Sequence, residues 1–87
     1  MWGFEDALFR LRKGMRVRRA GWNGKGMFIY LVPGGLYPAQ TPAAREYFGE
    51  QVPYGPYLAM KTAQGNVVPW LASQTDLLAE DWEVVEG

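Results

Sequence analysis

Two stretches hold the side chains best suited to chemistry: Arg18-Arg19-Ala20-Gly21-Trp22-Asn23-Gly24-Lys25-Gly26, and Val68-Pro69-Trp70-Leu71-Ala72-Ser73-Gln74-Thr75-Asp76-Leu77-Leu78-Ala79-Glu80-Asp81-Trp82. Together they set tryptophan beside glycine, asparagine, aspartate and cations. That mix suits a flat polar ligand, which needs a stacking face, hydrogen-bond partners and charge compensation. Trp22 stands out because it lies in a glycine-bounded turn after two arginines, a poor place for the centre of a core. Its indole offers a rigid face for a base, and such stacking is worth about 1–3 kcal/mol. The alternative is packing over a sheet edge or against another subunit.

Arg18, Arg19 and Lys25 flank that tryptophan and suit phosphate oxygens, the guanidinium fork most of all. Asn23 and the amides of Gly24 and Gly26 add donors. A solvated strand face is the competing account of the cations. Neither the dinucleotide-binding glycine fingerprint nor a phosphate loop is present, so the Gly-x-Gly triplet says little by itself. Asp76 reads either as the acid of a capping box with Ser73 or as an acceptor for a ribose hydroxyl or exocyclic amine; the roles are compatible. Asn66 reads as a turn former or as a reader of a base edge. Trp70 and Trp82 are interleaved with Val68, Leu71, Leu77, Leu78 and Val84, which marks them as core. Tyr54-Gly55-Pro56-Tyr57 fits a pocket rim or a subunit contact. Asp81 beside Glu80 is no acid-base pair if the chain is extended there, because neighbours on a strand point opposite ways.

Composition narrows the function further. The chain of 87 residues balances nine Lys plus Arg against nine Asp plus Glu and contains neither histidine nor cysteine. A neutral chain lacks the field that gathers polyanions, which argues against a general nucleic-acid or membrane-surface binder. Without His and Cys, the commonest general base and the preferred transition-metal ligands are missing, so no enzyme, metal site or cofactor is expected. Disulfides are also excluded, in keeping with a reducing compartment. The start Met1-Trp2-Gly3-Phe4-Glu5-Asp6 is unlike a signal peptide, and no run approaches the roughly 20 apolar residues that span a bilayer.

The elements that must position these residues follow from periodicity. Phe4, Ala7, Leu8 and Leu11 form one stripe of a helix over Phe4 to Lys13, with acids first, cations last and Gly14 as its stop. Met15 to Arg19 alternates like a half-exposed strand, Gly21 to Gly26 must turn, and Met27 to Val32 reads as a buried strand ended by Pro33-Gly34-Gly35. Leu36 to Pro56 is an irregular excursion containing one short helix, with Thr41 as N-cap, Pro42 at its first position and Gly49 as its stop. Tyr57 to Thr62 and Asn66 to Trp70 make a hairpin about Ala63-Gln64-Gly65, with Pro69 marking an edge or strand end. Ser73 starts a brief helix through Ala79, and Trp82 to Val85 is a last strand. The sum is a single α+β domain over residues 1–87: an N-terminal helix, then a mostly antiparallel sheet of four or five short strands with short helical turns. Four Trp, five Tyr and four Phe exceed what so small a core can hide, so an oligomer is expected.

Taken in order, Gly21-Trp22-Asn23-Gly24-Lys25-Gly26-Met27, Val32-Pro33-Gly34, Pro56-Tyr57-Leu58-Ala59-Met60-Lys61-Thr62, Val68-Pro69-Trp70 and Ser73 to Trp82 resemble the phage and prophage family of Thoeris anti-defence proteins of the second type. The likeness runs from Phe4 to Val85. It implies a sponge in the host bacterial cytoplasm that binds cyclic ADP-ribose isomers made by TIR enzymes, holds them without cleavage and starves the effector. It also implies a homotetramer with the pocket at a protomer junction, and for some relatives capture of cyclic oligonucleotides at a separate site. By matching motif, Trp22 would stack on the ligand and Asp76 would be a polar contact; Asn66 follows through a hairpin whose length varies. Two other readings stand beside this one: a single-stranded nucleic-acid binder using exposed aromatics, and a protein-interaction module.

Overall fold

A computed structural model describes residues 1–86. Helix α1 (Phe4–Arg12) places Glu5 and Asp6 in its first turn and Arg10 and Arg12 in its last, and it buries Ala7 and Leu11. Gly14 follows at φ 86°, the left-handed conformation that a helix stop of this kind requires. Strands β1 (Val17–Arg19) and β2 (Phe28–Val32) come next, joined by the turn at residues 20–27.

The chain then leaves the main sheet. β3 (Gly35–Pro38) pairs antiparallel with β4 (Gln51–Tyr54), and α2 (Pro42–Phe48) sits between them. The helix has the expected caps, the Thr41 hydroxyl accepting from the Ala44 N–H and Gly49 closing the end. The two flanking strands were not anticipated: the sequence suggested irregular chain around α2. Alternation is hard to read there because Pro38 and Pro53 interrupt it and only Val52 is buried. In a two-stranded sheet both strands are edges, where proline is tolerated. This arm packs on itself, with element contacts only between β3 and β4 and between α2 and β4. The Cα radius of gyration is 15.1 Å, against about 12 Å for a compact chain of this length. The arm therefore projects.

β5 (Tyr57–Lys61) re-enters the main sheet beside β2, in register from Phe28↔Lys61 to Val32↔Tyr57. The hairpin turn passes through Gly65 to β6 (Val67–Pro69), an edge strand, as Pro69 suggested. Ser73 caps α3 (Gln74–Leu78) through a complete capping box with Asp76. β7 (Trp82–Val84) closes the other edge, so the sheet order is β6-β5-β2-β1-β7 with every neighbouring pair antiparallel. The α+β class holds, with a five-stranded sheet and the extra two-stranded one.

Helix α1 lies against β7, β1 and β2. Between them Ala7, Leu11, Val17, Ile29 and Trp82 are fully buried, with Phe4, Leu8, Trp22, Leu58, Met60 and Trp70 packed around them. No described helix is long and apolar enough to cross a membrane. Ile29 is the fully buried residue of the central strand β2, so Ile29→Ala is expected to cost about 2–5 kcal/mol in denaturant unfolding. A cost below about 1 kcal/mol would place the core elsewhere.

Candidate functional site

The turn between β1 and β2 is the centre of the site. It holds its shape through contacts on both flanks. On one side the Gly21 N–H donates to Asp81 Oδ2 at 2.9 Å, and the Ala20 N–H donates to the Asp81 carbonyl at 2.9 Å. On the other, Lys61 Nζ donates to the Gly26 carbonyl at 3.0 Å. Gly26 has φ 72°, and a Cβ on Gly24 would fall 3.1 Å from the Ala63 Cβ. Gly26 thus holds a conformation that favours glycine, and Gly24 lets the turn lie close against the β5–β6 hairpin.

Arg18, Arg19, Ala20, Trp22, Asn23, Gly24, Lys25, Gly26, Met27 and Glu83 line an open cavity of about 300 Å³. Five of the residues singled out in the sequence (Arg18, Arg19, Trp22, Asn23 and Lys25) are therefore brought together. Trp22 is half-buried, and its ring meets Trp82 edge-on at 5.4 Å between centroids and Trp70 at 6.4 Å. It borders the cavity while resting on the core. Trp82 is fully buried, as its spacing suggested, and Trp70 is half-buried.

The three cations are in different states. Arg19 Nε donates to Asp81 Oδ1 at 2.8 Å, and its Nη1 donates to Asp76 Oδ1 at 2.9 Å, which ties β1 to the start of α3 and the entry to β7. Those hydrogen bonds, first from Asp81 and then from Asp76, raise the guanidinium pKa above its ordinary value. Arg18 Nε donates to Glu83 Oε2 at 2.8 Å, directly across the β1–β7 pair. Lys25 is exposed and forms no ion pair among the described residues.

Asp76 stands just behind the cavity. Its Oδ2 accepts from the Ser73 N–H at 3.2 Å and from Ser73 Oγ at 2.9 Å, completing the cap that the sequence indicated. Burial pushes its carboxyl up, but hydrogen bonds from Arg19, Ser73 and Trp22 outweigh this and hold it below the usual carboxylate range. Asp81 is also held low, chiefly by Arg19, with the Gly21 N–H helping. Asn66 is not among the cavity-lining residues: its carbonyl accepts from the Thr62 N–H at 2.8 Å and its side chain bonds the Thr62 hydroxyl, so within one chain it closes the hairpin.

Sequence reasoning missed Asp81 as the second partner of Arg19, and missed Glu83 and Met27 as cavity walls. The signal for Glu83 lay in the facing of Arg18 by a last strand, but short strands do not announce their partners. A second cavity of about 340 Å³ opens at the base of the arm, between Val32, Tyr37, Pro38, Gln40, Tyr54 and Tyr57. No group of three or more potential metal ligands exists among the described residues.

By fold and site this is a small α+β domain with a polar cleft bordered by tryptophan, anchored by a paired arginine. The Thoeris anti-defense 2-like domain family matches residues 2–85. Thoeris anti-defense 2 from Bacillus phage SP01 is 42% identical over 83 residues, covering 94% of this chain and 92% of that protein. The chain belongs to the Thoeris anti-defense 2-like family.

The depressed carboxyls of Asp76 and Asp81 fix the sign of the acid response. Each binds protons less readily folded than unfolded, so their stabilisation is complete above about pH 4–5 and is lost as pH falls through the folded values. The raised Arg19 pKa expresses the same pairs from the cation's side, and by that route they are lost only at extreme alkali. Thermal midpoints are expected to be level between about pH 5 and 8 and to fall below about pH 4. Asp81→Asn should lower the neutral plateau and flatten the acid limb; an unchanged acid limb would mean the pair contributes nothing.

Proposed function

We propose that this chain counters Thoeris defence by binding a cyclic ADP-ribose type of signalling nucleotide and holding it without cleavage. The observation that carries the reading is the cavity in which Trp22, Asn23, Arg18, Lys25 and the glycine-rich turn meet. A ligand of adenine, two riboses and a pyrophosphate presents one planar face, several hydroxyls and two anionic groups. Trp22 serves the plane, Lys25 and Arg18 the phosphates, and Asn23 with the turn amides the remaining acceptors. Asp76 is the polar contact behind them, reached through Trp22 and Arg19. Family membership supplies the setting of phage anti-Thoeris activity.

An assembly of several copies, a tetramer in this reading, completes the site. At about 300 Å³ the cavity is at the small end of ligand pockets, which run to about 1,000 Å³. The projecting arm and the exposed Tyr47, Phe48 and Leu36 provide apolar surface that a second copy would cover. Sequestration also sets a demand on affinity. Lowering free signal about a hundredfold needs sites at about a hundred times the dissociation constant.

The test is capture followed by release. Protein incubated with the product of a TIR enzyme, then heat-denatured, is expected to return the molecule intact. Trp22→Ala should weaken capture by at least about fivefold. Because Trp22 also packs on Trp82, Lys25→Ala on the exposed turn serves as the second variant and should weaken capture with no change in melting temperature. Recovery of a cleaved product would make the protein an enzyme, and undiminished capture by both variants would move the site elsewhere.

A further inference from the structure

One carboxylate lines the cavity proposed to take an anion. Glu83 is on β7 directly opposite Arg18 on β1, and their side chains pair at 2.8 Å while remaining 31% and 43% exposed. Position is dictated by the register Arg18↔Glu83, the middle pair of three between these strands. Both side chains therefore leave the sheet on the same face, away from the core side that Val17 and Trp82 occupy. Arg19 next door is already committed to Asp76 and Asp81. Of the three cations at the cavity, Lys25 alone has no ion-pair partner among the described residues, and Arg18 is held by a partner that is easily released.

We infer that Glu83 sets the anion affinity of the cavity: it occupies Arg18 while the cavity is empty and is displaced when the ligand's phosphate arrives. This rests on the proposed reading of the cavity as a phosphate-bearing site and names a residue that tunes it. An anion must displace Glu83 from Arg18 and tolerate a carboxylate nearby. A small anion has only its charge to offset that cost. A nucleotide also stacks on Trp22, so it stays bound at concentrations where a bare phosphate carrying the same cost no longer fills the cavity. Exposed ion pairs are weak enough for such an exchange. A buried pair would not be, because leaving either charge alone in the interior is far more costly.

The experiment is titration calorimetry of wild type, Glu83→Gln and Arg18→Ala/Glu83→Gln at low ionic strength, with inorganic pyrophosphate as one probe and a cyclic ADP-ribose as the other. Glu83→Gln keeps the shape of the side chain and leaves Arg18 unopposed. It is expected to bind both probes about two- to fivefold more tightly than wild type. The gain should vanish in the double variant and shrink in high salt. Unchanged or weaker pyrophosphate binding by a Glu83→Gln protein that melts like wild type would overturn the inference, as would a gain that survives loss of Arg18. If pyrophosphate follows the expected order but no variant binds the cyclic nucleotide, the sequestration reading fails and the role of Glu83 stands.

Discussion

Burial of Trp82 is the constraint on which the site depends. It is the largest fully buried side chain, and Phe4, Trp22 and Trp70 meet its ring edge-on or nearly so. A buried indole N–H needs an acceptor, because an unmet donor costs about 1–3 kcal/mol. The acceptor is the Asp76 carbonyl at 3.0 Å, in the first turn of α3. That bond fixes α3 over the core, and the Asp76 side chain then faces Arg19. Main-chain bonds between Trp82 and Trp2 fasten the N-terminus to the same strand. Core packing and the shape of the cleft are thus one arrangement, and the cation closest to Asp76 is structural before it is anything else.

This changes how the basic turn is understood. Arg18, Arg19 and Lys25 look equivalent in sequence, yet one is clamped by two carboxylates, one is loosely held by Glu83 and one has no ion-pair partner among the described residues. Arg19 stabilises the wall of the cavity by holding β1, α3 and the entry to β7 together. Preorganisation of this sort means that the cleft would lose less ordering entropy on being filled.

Local signals were legible and distant ones were not. The apolar stripe of α1 with Gly14, the caps at Thr41 and Ser73, and the hairpin ending at Pro69 each depend on residues within a few positions, and each appears where the sequence put it. The β3–β4 pair escaped notice because Pro38 and Pro53 break its alternation and it buries little. In the site, the cluster from Arg18 to Lys25 was visible because it is contiguous. The partners of Arg19 lie 57 and 62 positions away: Asp81 is brought near by the β1–β7 register and Asp76 by the bond from Trp82 to its carbonyl. Asn66 shows the opposite case, a residue whose local turn chemistry accounts for its position within one chain.

In the proposed function the nucleotide is held whole in a cleft shared by copies of this chain. Native mass spectrometry with and without a cyclic ADP-ribose tests it most directly, because one spectrum gives both the assembly and the mass of what it carries. The account predicts an oligomer that gains the full mass of the uncleaved ligand. A bare monomer with no adduct, or an adduct with the mass of a hydrolysed product, would contradict it.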